Sequence, residues 1–261
     1  MRDALARCMF LASLLAAAPG AAQGIDADVA KIQACVERNV PRAGRQEVRL
    51  AMQDASGSRT LEAVAFWKRD EQGQTRLLYR ITAPSDVRGS AFLFRERDGA
   101  HDIWTYLPEL RAVRRVTARG VSVPFFGSDF TYEDVLELQA EARYARIERR
   151  PDAEIDGRPV RVISARPALE GSGYGEIVSF IDAETCVALR VALHDRSGAM
   201  VKEMRVAWSD VRRENDVWRP GVVSMRDLVR GSTSRLVFER GDWNAEIPDH
   251  LFQPNELAKG P

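Results

Sequence analysis

Apolar and polar residues alternate along most of this chain with the period of two that is typical of β-strands. Stretches of about five to eight residues that alternate or run continuously apolar predict strands at Leu61–Lys68, Arg76–Thr82, Ser90–Arg95, Ile103–Leu107, Ala112–Thr117, Tyr144–Arg149, Pro159–Ala165, Glu176–Ile181, Val187–His194, Val201–Trp208, Val222–Leu228 and Arg235–Glu239. Turn residues such as Asp98-Gly99 separate them without βαβ spacing, so we expect an antiparallel sheet with hairpin connections. A sheet of about eleven or twelve strands should curl strongly.

Two segments depart from this pattern and predict helices. Over Asp26–Val36 the apolar residues are spaced by three and four, as on one face of a helix that Pro41 would end. In residues 125–136, Glu133 and Asp134 would lie in a first turn. The candidate N-caps of this second helix are Ser128, Asp129 and Thr131. We expect it to be short and to pack on or across the sheet.

The N terminus has the pattern of a secretory signal peptide. Arg2 and Arg7 precede an uncharged run over Cys8–Ala18, and small residues follow up to Ala22. The run is about half of the roughly 20 residues that cross a bilayer, so a retained anchor is the weaker interpretation. We expect residues 1–22 to be removed and residues 23–261 to form the exported protein.

Two cysteines remain after the leader is removed. In an oxidising compartment Cys35 and Cys186 are expected to form a disulfide. The bond would close a loop of about 150 residues, which the chain-entropy model values at roughly 5 kcal/mol. Two buried free thiols are the alternative.

Composition and motifs exclude several classes of function. With 38 basic and 38 acidic residues the chain lacks the positive surplus of a nucleic-acid-binding protein. His101, His194 and His250 have no metal-ligand spacing, and neither a P-loop nor a G-x-S-x-G motif occurs. The glycine-rich residues 171–175 precede a strand, so we interpret them as a hairpin loop. We predict no metal, no cofactor and no enzymatic activity.

Two charged clusters have a structural and a functional interpretation. The first contains Asp129, Glu133 and Asp134. The structural interpretation is that these residues cap the helix. The functional one is that Asp129 and Glu133 form the acid/base pair of a hydrolase. The second contains Arg111, Arg114 and Arg115. The structural interpretation is a charged strand edge. The functional one is that these arginines donate hydrogen bonds to an anionic head group or to the Asp129 cluster.

Two motifs together resemble a known family. Asp102–Val116 reads DIWTYLPELRAVRRV, and Phe126–Asp134 reads FGSDFTYED. With Ala83–Leu93 upstream, they resemble the signature of the LolA-like outer-membrane lipoprotein-sorting family. The resemblance extends from about Cys35 to Phe252 and points to an uncharacterised branch, with residues 23–261 as a single LolA-like domain.

The resemblance implies a fold and a function. The fold is a mainly β half-barrel, in which a strongly curved, unclosed antiparallel sheet of about 11 strands is covered by helices that act as a lid. The function is that of a periplasmic carrier or chaperone that binds lipoprotein or lipid acyl chains in a hydrophobic cavity for transfer toward the outer membrane. Each methylene sheltered from water contributes about 0.8 kcal/mol. An inner-membrane RND-type or ABC transporter is the expected partner.

Aromatic side chains are the candidates for lining and gating this cavity. They are Phe92, Phe94, Trp104, Tyr106, Phe125, Phe126 and Phe130. An ordinary core is the alternative, and alternation alone leaves open which sheet face is concave. The segment from Phe125 to Val135 would be the gate. For the lid arginine of the lipoprotein carriers, Arg80, Arg88 and Arg111 are candidates. The alternative function is an envelope sensor or transporter accessory with a protein partner.

Overall fold

The computed structural model describes residues 27–97, 100–117, 120–138, 144–243 and 245–259. The expected signal peptide and the Asp98-Gly99 turn lie outside these ranges. The described residues contain the α-helices α1 (Ala27–Glu37) and α2 (Tyr132–Leu138). No helix among them is long and apolar enough to span a membrane.

Strands make up most of the described chain. They are β1 (Ala43–Asp54), β2 (Gly57–Arg69), β3 (Thr75–Ala83), β4 (Ala91–Arg97), β5 (Ala100–Leu107), β6 (Ala112–Arg115), β7 (Tyr144–Ile155), β8 (Arg158–Pro167), β9 (Glu176–Asp182), β10 (Ala188–His194), β11 (Met200–Arg205), β12 (Val211–Glu214), β13 (Val217–Pro220), β14 (Val222–Asp227) and β15 (Ser232–Asp242). The mainly β antiparallel architecture predicted from the alternation is confirmed.

The main sheet is built from two meanders. In the described residues its order is β6-β5-β4-β3-β2-β1-β15-β14-β11-β10-β9-β8-β7, so the N-terminal meander (β1–β6) meets the C-terminal meander (β7–β11, β14 and β15) where β1 pairs with β15. The sheet is large and curved, and its edge strands β6 and β7 do not close it into a barrel.

Residues 120–138, which lie between the two edge strands in the chain, occupy the concave side of the sheet. They are called the inserted segment below and contain a 3-10 turn at Phe125–Gly127 followed by α2. Phe130, Val135 and Leu136 of this segment are buried in one core with apolar residues of both meanders. The sheet face that they contact is the inner face.

Strand β1 is absent from the sequence prediction. Its buried positions alternate with more accessible ones as expected for a strand, but two of them are Gly44 and Gln46 instead of apolar residues. Glycine is needed at position 44, because a Cβ atom there would lie 2.4 Å from the Trp67 ring. The apolar period is therefore interrupted where the strand begins.

The hairpin of β12 and β13 is a second difference from the prediction. These strands form a separate two-stranded sheet. They are joined by Asn215 and Asp216, both with positive φ (46° and 65°), as in a type I′ turn. Together the missed strands raise the number in the described chain from the expected eleven or twelve to fifteen.

The opposite face of the N-terminal meander is covered by the end of the chain. Ile247, Phe252 and Leu257 pack against Leu78 and Leu93. This C-terminal segment, residues 245–259, thus buries the outer side of β3 and β4, and leaves the inner face to the inserted segment.

Candidate ligand-binding cavity

An apolar cavity lies between α1 and the inner face of the C-terminal meander. Its volume is about 270 Å³. Ile163, Ile181 and Val191 from the sheet form part of its wall, and Ile32 and Val36 of α1 cover it. The end of α2 and strand β13 complete the lining. A helix therefore covers an apolar space against a curved sheet.

The C-terminal end of α1 is fixed to the sheet. The structure joins Cys35 and Cys186 in the disulfide expected from the sequence, with their Cα atoms 5.7 Å apart. Just after the helix, Asn39 donates a hydrogen bond to the Thr185 carbonyl (2.7 Å) and accepts one from the Trp218 amide (3.0 Å). These contacts hold α1 to both the β9–β10 turn and strand β13.

Asp129 anchors the inserted segment to the centre of the sheet. Its buried carboxylate accepts hydrogen bonds from the hydroxyls of Ser232 and Ser234 on β15, the second at 2.6 Å. Lys202 on β11 donates to the Asp129 carbonyl (2.6 Å) and to Asp134 (3.2 Å), and the exposed Arg230 guanidinium lies 3.8 Å from Asp129. Among the described residues, Lys202 and Arg230, and not the predicted arginine cluster, are the cations in contact with Asp129 and Asp134.

Thr131 is the N-cap of α2. Its hydroxyl accepts from the Asp134 amide (3.2 Å), while the Asp134 carboxylate accepts from the Thr131 amide (2.7 Å). This reciprocal pair is a capping box with aspartate at its fourth position. Of the three N-cap candidates, Thr131 is confirmed.

Glu133 and Asp134 also bind the glycine-rich loop at residues 171–175. Ser172 donates to Glu133 at 2.5 Å, the Gly173 amide donates to the same carboxylate at 3.3 Å, and the Tyr174 hydroxyl donates to Asp134 at 2.9 Å. Burial raises the pKa of Glu133 to about 7. Asp129 and Glu133 therefore have different partners, on β15 and on this loop, and are not placed as an acid/base pair around a shared substrate site.

Glu137 brings a half-buried carboxyl to the cavity. It lies at the end of α2, accepts a hydrogen bond from the Tyr144 hydroxyl and, with Tyr144, lines the cavity. Burial raises the pKa of Glu137 to about 7 and the pKa of Tyr144 well above its usual value. The lining is thus apolar with a few buried polar groups.

The candidate aromatic residues on β4 and β5 lie on opposite faces of the sheet. Phe92 and Phe94 are fully buried on the inner face. Leu93 of β4 pairs with Trp104 in the register, so Trp104 and Tyr106 point to the outer face and pack under residues 245–259. Arg80 lies on that face too, where its guanidinium donates to the Leu257 carbonyl (3.2 Å).

The candidate aromatic residues of the inserted segment belong to the packed core. The Phe125 ring contacts those of Tyr79, Phe126 and Tyr132 with centroids 4.7 to 5.6 Å apart. Phe130 is buried, and Phe126, with φ of 48°, is half-buried. None of the seven predicted aromatic residues is among the described residues that line the cavity.

The predicted basic cluster lies at an edge of the sheet. Arg114 and Arg115 are exposed on the edge strand β6, and Arg111 precedes it in a left-handed conformation with φ of 45°. Arg115 forms an ion pair with Asp102 on β5. The structure does not bring these arginines to the Asp129 cluster.

Arg219 is the charged residue of β13 among the cavity-lining residues that sequence reasoning missed. It lies on β13, lines the cavity and has its guanidinium 3.6 Å from the centroid of the Trp243 ring. The available signal was the pair Asn215-Asp216 between Glu214 and Val217, which favours a tight turn and hence the hairpin. The alternation in Val-Trp-Arg-Pro is too short to reveal it.

Comparisons place this architecture among known structures. A family model described as "Uncharacterized protein" matches residues 73–259. A domain from Vibrio parahaemolyticus assigned to outer membrane lipoprotein sorting is 27% identical with a TM-score of 0.80, over 87% of this chain and 97% of that chain. No curated protein matches the sequence.

Two further solved structures have the same fold at lower identity. A DUF1329 family protein from Desulfovibrio piger has a TM-score of 0.79 at 19% identity, over 88% of this chain and 98% of that chain. The LolA superfamily protein NE2245 from Nitrosomonas europaea has a TM-score of 0.69 at 17% identity, over 86% of this chain and 96% of that chain.

Proposed function

This chain belongs to the LolA-like family of outer-membrane lipoprotein-sorting proteins, and we propose that it is a non-catalytic periplasmic carrier that shelters an acyl chain in the cavity beneath α1. The apolar cavity of about 270 Å³ is the observation that supports this proposal. Cleavage near Ala22 would release the carrier into the periplasm, where it would accept lipoprotein or lipid cargo, with an inner-membrane transporter as the donor.

The size of the cavity limits what it can hold without rearrangement. Small-molecule sites measure about 300 to 1,000 Å³, so this cavity is slightly smaller than that range and suits one chain better than two or three. Burial of about ten methylenes gives roughly 8 kcal/mol before the cost of ordering the chain. A multiply acylated cargo would require α1 or the β12–β13 hairpin to move outward.

Neighbouring residues on β9 provide a matched pair of variants for the test. Ser179 lines the cavity, whereas the side chain of Val178 points to the opposite face of the strand. Ser179→Phe places a ring in the cavity, and Val178→Phe adds a ring of the same size outside it.

The experiment is lipid extraction and mass spectrometry on protein purified from the periplasm without detergent. We expect a near-stoichiometric acylated species with the wild-type protein and with Val178→Phe, and at least a fivefold loss with Ser179→Phe. A wild-type protein free of lipid, or equal lipid in both variants, would refute the proposal.

A further inference from the structure

A single cation faces the apolar cavity. Among the described lining residues, Arg219 is the one lysine or arginine, and Val223 and Phe238 line the same wall. The acidic lining residues are Glu37 and Glu137, on α1 and α2, and neither forms an ion pair with Arg219 in the described structure. A partly buried cation in such a wall requires an explanation.

The Arg219 side chain is held firmly on two aromatic rings. Its guanidinium lies 3.6 Å from the centroid of the Trp243 ring and 5.6 Å from that of Trp67, and the two rings are 5.0 Å apart. Nη2 donates a hydrogen bond to Gln46 Oε1 at 3.2 Å. Gln46 is itself buried at a position of β1 where alternation calls for an apolar residue.

One end of this guanidinium has no partner. Nη1 of Arg219 is buried and has no hydrogen-bond acceptor among the described residues. The aromatic rings cannot replace an acceptor, because they contact the face of the guanidinium whereas its five N–H bonds lie in its plane. Leaving such a charged donor unpaired in the protein costs the full desolvation penalty of the group.

The side chain remains charged in spite of its burial. Burial lowers the pKa of Arg219 to about 10, while the charge of Glu214 on β12 acts in the opposite direction. A group with this pKa is protonated at neutral pH. The wall of the cavity therefore contains a cation whose Nη1 donor is unpaired and has almost no accessible surface, so a head group reaches it only when neighbouring side chains shift.

We propose that Arg219 binds the oxyanion head group of a single-chain amphiphile, such as a long-chain carboxylate or alkyl phosphate, whose chain lies in the cavity. The ligand would supply the missing acceptor for Nη1 and neutralise the buried charge. Its head group lies at β13 and its chain extends toward β8–β10 and α1. This inference rests on the proposed function and adds the class of ligand.

Ligands that share a chain and differ in the head group test the inference. We would titrate delipidated mature protein with hexadecanoate, hexadecyl phosphate and hexadecan-1-ol by calorimetry. The wild-type protein should bind one or both anions at least tenfold more tightly than the neutral alcohol, and the favoured anion identifies the head group. Millimolar inorganic phosphate should not displace them, and displacement would overturn the assignment to an amphiphile.

Arginine variants on one hairpin identify the residue responsible. Arg219→Gln should abolish the preference for the anions and leave the affinity for hexadecan-1-ol within about threefold of the wild-type value. Arg213→Gln is the matched control, because Arg213 lies on β12 with an exposed side chain, and should retain the preference. Arg219→Lys keeps the charge without the planar fork and should retain part of the preference.

The outcomes separate this inference from the proposed function. Equal binding of anions and alcohol by the wild-type protein overturns the role of Arg219 and leaves the carrier intact. Failure to bind any of the three ligands contradicts both. If Arg219→Gln does not fold, the wild-type comparison and Arg219→Lys decide the question.

Discussion

Buried carboxylates of the family motif hold the inserted segment on the sheet. Asp129 accepts hydrogen bonds from Ser232 and Ser234 on β15, and Glu133 accepts one from Ser172 in the loop before β9. A buried carboxylate with satisfied hydrogen bonds fixes a geometry, because each oxygen needs its partners in place. At the residue scale, the acidic residues of the motif thus act as attachments between the inserted segment and two distant parts of the sheet.

Replacement of Asp129 tests this structural role. Asp129→Asn leaves one oxygen as an acceptor and puts an amide group against a serine hydroxyl. We expect a loss of about 1–3 kcal/mol in the free energy of unfolding, measured by urea denaturation, with acyl-chain binding per folded molecule unchanged. Loss of binding at full stability would instead indicate that Asp129 acts on the ligand.

Glu133 predicts a pH dependence of stability. Its pKa is raised from the ordinary value of 4.5 to about 7, so the folded protein binds this proton more tightly than the unfolded chain. The resulting stabilisation is fully present below about pH 4.5 and is lost as the pH rises through about 7, and it amounts to about 3 kcal/mol at most. Glu137 acts in the same window and direction.

Denaturation between pH 4.5 and 8 checks this expectation. Glu133→Gln should flatten the decline in unfolding free energy toward high pH, and Glu62→Gln, an exposed site on β2, should leave the decline unchanged. An identical pH profile for wild type and Glu133→Gln would show that burial does not hold a proton on Glu133.

Helix α1 is the element that encloses the cavity, and its attachment is uneven. The disulfide and Asn39 fix its C-terminal end to the β9–β10 turn and β13. Earlier in the helix, Val29 and Ile32 pack against Ile163 and Ile181 by apolar contacts alone. Outward movement of α1 would therefore begin at its N-terminal end.

Removal of the disulfide should loosen this cover. In the double variant Cys35→Ala/Cys186→Ala we expect a loss of up to about 5 kcal/mol in unfolding free energy, because the bond closes a long loop across 151 positions. Hydrogen exchange should rise more over α1 than over β2 and β3. Reductant should raise exchange over α1 in the wild-type protein and leave the double variant unaffected. If exchange over α1 and over β2 and β3 rose equally, the disulfide would not be what holds α1 to the sheet.

Elements with a regular apolar period were predictable from the sequence, and those in which glycine or a polar residue interrupts the period were not. The period of α1 and the alternation in strands such as β3 or β10 gave their locations closely. In β1 the period is broken by Gly44, which makes room for the Trp67 ring, and by Gln46, which binds Arg219. The residues that conceal the strand are those that support the buried cation.

At the scale of the whole molecule, the topology separates a packed half from a half with a cavity. The inserted segment lies across the inner face, and its aromatic residues fill the concave side of the N-terminal meander. The space that remains lies against the C-terminal meander under α1. Alternation could not reveal this division, because it identifies the two faces of a strand and not which of them is concave.

The central claim is that an acyl chain lies beneath α1, and photo-crosslinking tests it most directly. The mature wild-type protein would be irradiated with a hexadecanoic acid that contains a diazirine in its chain, and the adducts mapped by peptide mass spectrometry. The account predicts saturable adducts on α1 and around Val191 and Met204, which line the cavity. Adducts concentrated on Phe92 or Phe125, or labelling that does not saturate, would contradict it.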